Sequence, residues 1–119
     1  MNTDIFKALS DESRLRILNL LFRRELCVCE LESILDMSQT NVSRHLNKLK
    51  YANMVLMTKK SKWAYYSIND QFIKENDHLI AYLKNNFSED KDFVRDMKIL
   101  ISLEEDQALC SDSNIVKFV

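Results

Sequence analysis

Apolar residues recur along this chain mostly at the three- and four-residue steps of a buried helical face, and only in one stretch at the two-residue step of a strand. Ile5, Phe6 and Leu9 predict a short first helix, and Ser10 or Asp11 then caps a second with Leu15, Leu18, Leu21 and Phe22 facing inward. Val28, Leu31, Ile34 and Leu35 make the inner face of a third helix that stops near Asp36. Ser38 caps a fourth, in which Val42, Leu46 and Leu49 turn inward and Gln39, Thr40, Asn41, Ser43, Arg44, His45 and Lys48 stay largely free of the core. Residues 54–58 and 63–68 alternate as two strands around a Lys-Lys-Ser-Lys turn. Beyond them, Phe72, Asn76, Ile80, Leu83 and Phe87 share one face of a long helix, and Phe93, Met97, Leu100 and Ile101 trace another. The pattern predicts a mainly α fold with a small β-hairpin, in the order α-α-α-α-β-β-α-α.

A chain of 119 residues is one domain, large enough for a core. Its body is expected over residues 1–103, with a tail over 104–119 that opens on three acids and carries Cys110. Gly and Pro are both absent, which removes the usual punctuation between elements. No apolar run approaches the ~18 residues needed to cross a membrane. The opening Met-Asn-Thr-Asp lacks the basic and apolar stretches of a secretory signal. A cytoplasmic, reducing setting is therefore expected, in which three cysteines are thiols and not a disulfide scaffold.

A short helix, a tight turn and a second helix with a polar face form the helix-turn-helix pattern. A polar face alone is usually just solvated surface, and a net charge of −1 argues against nucleic acid. The distribution of charge reverses that reading. Between Ser38 and Ser67 stand six basic residues (Arg44, Lys48, Lys50, Lys59, Lys60, Lys62) and no acid, while the rest of the chain holds eleven basic and eighteen acidic residues. Lysines in the hairpin turn beside such a helix suit phosphate neutralisation, the usual source of sequence-independent affinity for DNA. Trp63, Tyr65 and Tyr66 read as strand packing.

Two thiols precede the polar helix. Glu30 falls three residues after Cys27, the spacing of a capping box, yet Ser, Thr, Asp or Asn would cap better by ~1 kcal/mol. A cysteine there suggests chemistry, and unpaired amides with the helix dipole are expected to lower its pKa. Within a regular helix, residues two apart point about 200° away from each other. Cys27 and Cys29 can meet one ion only if Cys27 is the extended cap and Cys29 lies in the first turn. The plainer reading makes both thiols small buried hydrophobes.

The segments Ala8–Leu18, Glu25–Leu31 and Ser38–Leu46 together resemble the ArsR/SmtB metal-responsive winged-helix repressors: a second-helix signature, a thiol metal box and a recognition helix. With the wing, the likeness covers roughly Ile5 to Ile68. The resemblance implies a winged helix-turn-helix repressor that binds operator DNA through Ser38, Gln39, Thr40, Asn41, Ser43, Arg44, His45 and Lys48, with Lys59, Lys60 and Lys62 in the wing. It also implies a homodimer built on the first and last helices, as two half-sites about 34 Å apart require, and derepression by a metal ion. The chain departs from the family pattern in three places. Asn53 and Ser61 stand where glycine is common, and Glu32 occupies the position of the third sulfur of arsenic-responsive members. A trigonal site would then need Cys110 to join Cys27 and Cys29, from the same chain or the partner.

Thiolates select soft ions. As(III) or Sb(III) is the expected inducer, with Cd or Pb next; the histidines, His45 and His78, complete no zinc site, nor do Asp77 and His78 supply the family's alternative one. A thiol redox sensor using Cys27 or Cys29 with Cys110 is the main rival. A thiol-dependent enzyme is weaker, since the chain has no Cys-x-x-Cys, no glycine loop and no nucleophile with an evident base.

Overall fold

A computed structural model describes residues 1–109. The elements are α1 (Thr3–Leu9), α2 (Glu12–Leu21), β1 (Leu26–Cys27), α3 (Val28–Leu35), α4 (Gln39–Tyr51), β2 (Val55–Lys60), β3 (Trp63–Ile68), α5 (Asp70–Glu75), α6 (Asp77–Glu89) and α7 (Lys91–Glu105). Side chains at the expected caps set the helix starts: Asp11 Oδ1 accepts from the Arg14 N–H at 3.1 Å and Ser38 Oγ from the Asn41 N–H at 3.2 Å. Asp36, in the left-handed region at φ 54°, ends α3 and turns the chain toward α4.

Two features alter the predicted order. Leu26 and Cys27 form a short strand that pairs antiparallel with β3, Leu26 opposite Tyr66 and Cys27 opposite Tyr65, so the hairpin becomes a three-stranded sheet ordered β1-β3-β2. The long helix predicted after the wing is broken at Asn76, whose backbone leaves the helical region (φ −136°, ψ 41°) while its side chain donates to the Phe72 carbonyl at 3.0 Å. Asn76 is therefore a joint between α5 and α6 and not a position on one continuous face.

Asn53 and Ser61, the two substitutes for glycine, both adopt positive φ, 61° and 58°. Asn tolerates that conformation readily, and Ser61 accepts it at a cost of about 1 kcal/mol. The wing turn thus keeps a glycine-like backbone without glycine.

Ile17, Leu18, Leu20, Leu31, Leu46, Leu49, Met54 and Leu100 are fully buried and join α2, α3, α4 and α7 in one core. α7 is clamped to α2 by polar contacts as well. Arg16 donates twice to Asp96, at 2.7 and 2.9 Å, and the Asn19 amide donates to the Phe93 carbonyl at 3.1 Å. Arg23 and Arg24 both reach Glu104, and Leu109 is buried. α7 runs to Glu105, and Leu109 packs into the same core.

Candidate functional site

α4 is laid across the core by Val42, Leu46 and Leu49, which leaves a concave outer face of about 650 Å³ lined by Gln39, Thr40, Ser43, Arg44, Asn47 and Lys48. Ser38 and Asn41 are exposed at its start, and Asn41 Oδ1 holds Arg44 Nη2 at 3.2 Å. Asn47 was not among the sequence-predicted residues. Its position four residues after Ser43 and three after Arg44 puts it on the same face, so the spacing already carried the signal.

His45 is a correction. Its ring is buried, at 5% exposure, and its Nδ1 lies 3.3 Å from Arg14 Nη1. A guanidinium only donates, so Nδ1 is the acceptor and the proton of the neutral ring sits on Nε2. Burial, together with the charges of Arg44, Arg14 and Lys48, lowers the His45 pKa against the opposing pull of Asp11. Arg14 is buried too, and its remaining nitrogens donate to the Ala8 and Lys7 carbonyls at the end of α1, at 2.7 and 3.1 Å. His45 thus belongs to a joint that fixes α4 against α1 and α2, and it is not part of the outward face.

In the wing, Lys59, Lys60 and Lys62 are all exposed. They are not equivalent. Lys60 is ion-paired with Glu25, the residue just before β1, and its ammonium stands 5.4 Å from the Tyr65 ring centre. Lys62 lies 6.0 Å from the Trp63 ring centre.

The thiols are brought together as the cap geometry requires. Cys27 is extended (φ −89°, ψ 170°) at the N-cap of α3, and its N–H donates to Glu30 Oε1 at 2.8 Å. Cys29 lies in the first turn, and the two sulfurs are 2.9 Å apart. That is too long for a disulfide bond of about 2.05 Å. Two thiolates on an ion with metal–sulfur bonds of about 2.3 Å stand about 3.8 Å apart in tetrahedral geometry, so capture requires the sulfurs to separate by under 1 Å. Among the described residues no three His, Cys, Asp or Glu side chains form a ready ligand set. Cys110 lies outside the described residues.

The expected lowering of the thiol pKa is overturned for Cys27. Burial raises it to about 11, outweighing the hydrogen bonds from Cys29 and the Glu30 backbone, while the Glu30 carboxylate pushes the same way as burial. Desolvation wins over the helix terminus because Cys27 is 1% exposed.

Both thiols open onto a cleft of about 390 Å³ shared with Glu32, Gln39, Lys62 and Trp63. One wall is the start of α4 and another is the hairpin of β2 and β3. A ligand at the sulfurs therefore touches both surfaces that flank it, and Cys27 also stands opposite Tyr65 in the sheet that includes the wing.

A three-stranded wing and an outward polar helix after a short helix and turn define a winged helix-turn-helix regulator. Comparison with known proteins agrees. Residues 11–56 match the family model described as "Bacterial regulatory protein, arsR family". The arsenic resistance transcriptional regulator ArsR1 of Pseudomonas putida is 41% identical over 68 residues, 56% of this chain and 53% of that protein. A cadmium resistance transcriptional regulatory protein CadC homolog of Staphylococcus aureus is 39% identical over 72 residues, 60% of each. The chain thus spans a little over half the length of these curated relatives. HlyU from Vibrio cholerae superposes with a TM-score of 0.59 at 33% identity, covering 68% of this chain and 88% of that one. The homodimeric winged helix-turn-helix DNA-binding domain Mb0332 of Mycobacterium bovis gives 0.62 at 26% identity, covering 73% and 81%. The chain belongs to the bacterial ArsR family.

Proposed function

We propose that the chain is a homodimeric transcriptional repressor that leaves its operator when Cys27 and Cys29 capture a soft metal or metalloid. The observation that carries this reading is the shared cleft: the two sulfurs, Gln39 at the head of the recognition helix and Lys62 of the wing line the same 390 Å³. Gln39, Thr40, Ser43, Arg44 and Asn47 face the major groove in this reading, Ser38 and Asn41 border it, and Lys48, Lys59, Lys60 and Lys62 meet phosphates. Separating the sulfurs to hold an ion displaces α3 and β1, and so both DNA-facing elements. By linkage, operator DNA must weaken ion capture by the same factor.

Relatives named for arsenic and for cadmium resistance support a thiophilic inducer, and the homodimeric Mb0332 domain supports a dimer. The pKa of Cys27 favours As(III) over a divalent cation. Arsenous acid is a neutral trihydroxide, and each thiol that bonds to arsenic releases one hydroxyl as water with no net loss of protons. A cation must instead expel the thiol proton. Antimonite shares the arsenite chemistry; cadmium and lead are the next candidates. The third ligand is proposed to be Cys110, from either subunit.

A second reading, thiol oxidation, is favoured by the 2.9 Å contact between the sulfurs. It is opposed by the scarcity of Cys27 thiolate, which is the form that attacks an oxidant. Both readings are tested by following a fluorescent fragment of the chain's own upstream region while arsenite, antimonite, cadmium, lead, zinc and peroxide are added separately. Release by arsenite or antimonite at the lowest concentration supports the proposal. Release by peroxide alone overturns it in favour of the redox sensor.

A further inference from the structure

A second concave site lies away from the thiols, between α2, α6 and α7. It is a groove of about 640 Å³, within the range of small-molecule sites. Its base is aromatic: Phe87 and Phe93 stack at 4.8 Å with ring planes 7° apart, and Phe22 stands 6.2 Å from Phe87. Val94, Met97 and Ile101 of α7 make the apolar wall.

The rim is polar and of one sign. Arg23, Lys84 and Lys98 line it, and no acidic side chain does. Arg23 is already paired with Glu104. Lys84 leans over the Phe22 ring at 5.2 Å, and neither it nor Lys98 has an ion pair among the described residues. An aromatic trough edged by two uncompensated ammonium groups is complementary to a molecule with an apolar body and one negative end. α6 and α7 also lie beyond residues 11–56, the stretch that matches the family model, so most of this groove is built from outside it.

We propose that this groove binds an amphipathic organic carboxylate of the fatty-acid type, its chain on Phe22, Phe87 and Met97 and its carboxylate between Lys84 and Lys98. The site is independent of the thiol cleft. Its occupancy would bear on α2 and α7, which are held together by Arg16 and Asp96.

The test is calorimetric titration of the full chain with dodecanoate below its micelle concentration, with dodecyltrimethylammonium as the oppositely charged control. The expected result is one dodecanoate per chain, at least tenfold weaker binding of the cationic surfactant, and a loss of at least tenfold in dodecanoate affinity in the K84E/K98E variant. A Val94→Trp variant, which fills the trough but keeps both lysines, is expected to lose binding equally; circular dichroism checks that both variants are folded. Equal affinity for the two surfactants, or unchanged binding in folded K84E/K98E, overturns the proposal. So does sedimentation showing that Val94→Trp converts a dimer to monomers, since a second copy would then be what covers the groove.

Discussion

The buried proton on Cys27 gives the thiol site a pH signature that depends on the ion. With a pKa of about 11 and 1% exposure, roughly one Cys27 in ten thousand is thiolate at pH 7, and ionising it costs about 5 kcal/mol. A divalent cation must supply that energy from its own bonds, so its affinity should rise about tenfold per pH unit from the Cys27 proton alone. Arsenite does not, because two thiols and As(OH)3 give As(SR)2(OH) and two waters, with every proton retained. Calorimetry on DNA-free protein at pH 6, 7 and 8, in two buffers of different ionisation enthalpy, measures both affinity and protons released. Cadmium should gain at least about a hundredfold across that range and release at least one proton, while arsenite affinity should stay within about threefold. Cadmium affinity that is flat with pH, with no proton released, would refute the role of a protonated Cys27 as a ligand.

Three further perturbations follow from the contacts described. A raised folded-state pKa stabilises the protein below the ordinary thiol value of 9.0 and is lost as pH climbs toward 11; Cys27→Ser should remove up to about 3 kcal/mol of this alkaline loss, read from urea midpoints between pH 8 and 11. Glu25→Gln should free Lys60 for DNA, strengthening promoter binding at low salt and steepening its salt dependence by up to about 0.9 in the log–log slope; an unchanged slope would mean that Lys60 meets no phosphate. Asp96→Ala leaves Arg16 without its bidentate partner, and because that guanidinium is partly exposed the cost should sit near the low end for broken buried pairs, about 3 kcal/mol, or a fall of roughly 12 °C in thermal midpoint.

Much of this architecture was legible because caps and spacing are local. Asp11, Ser38 and the Cys27–Glu30 box all mark helix starts with side chains that reach only three residues. What was missed depends on partners far along the chain. β1 is two residues long, too short for any alternation, and exists only because Tyr65 and Tyr66 pair with it. His45 sits three residues after Val42 and four before Leu49, so its inward direction was readable in principle; its polar identity masked that, and the partner that satisfies it, Arg14, is 31 residues away. The break at Asn76 lacked the glycine or proline that usually announces one. The thiol pKa was misjudged because a helix terminus is visible in a sequence and burial is not, and burial proved the larger effect. Asn53 and Ser61 stand where the family commonly has glycine, and both adopt positive φ although neither residue is glycine.

Release from DNA by a thiophilic inducer requires that sulfur chemistry at β1 and α3 be transmitted to the start of α4 and to the wing. The most direct measurement is promoter release in a C27S/C29S variant, followed by fluorescence anisotropy during arsenite titration. The expected result is near-native affinity for the promoter without arsenite and no release at concentrations that strip the parent protein from DNA. Release by the variant at the parent's arsenite concentration would contradict it, whatever the two proteins' affinities for DNA.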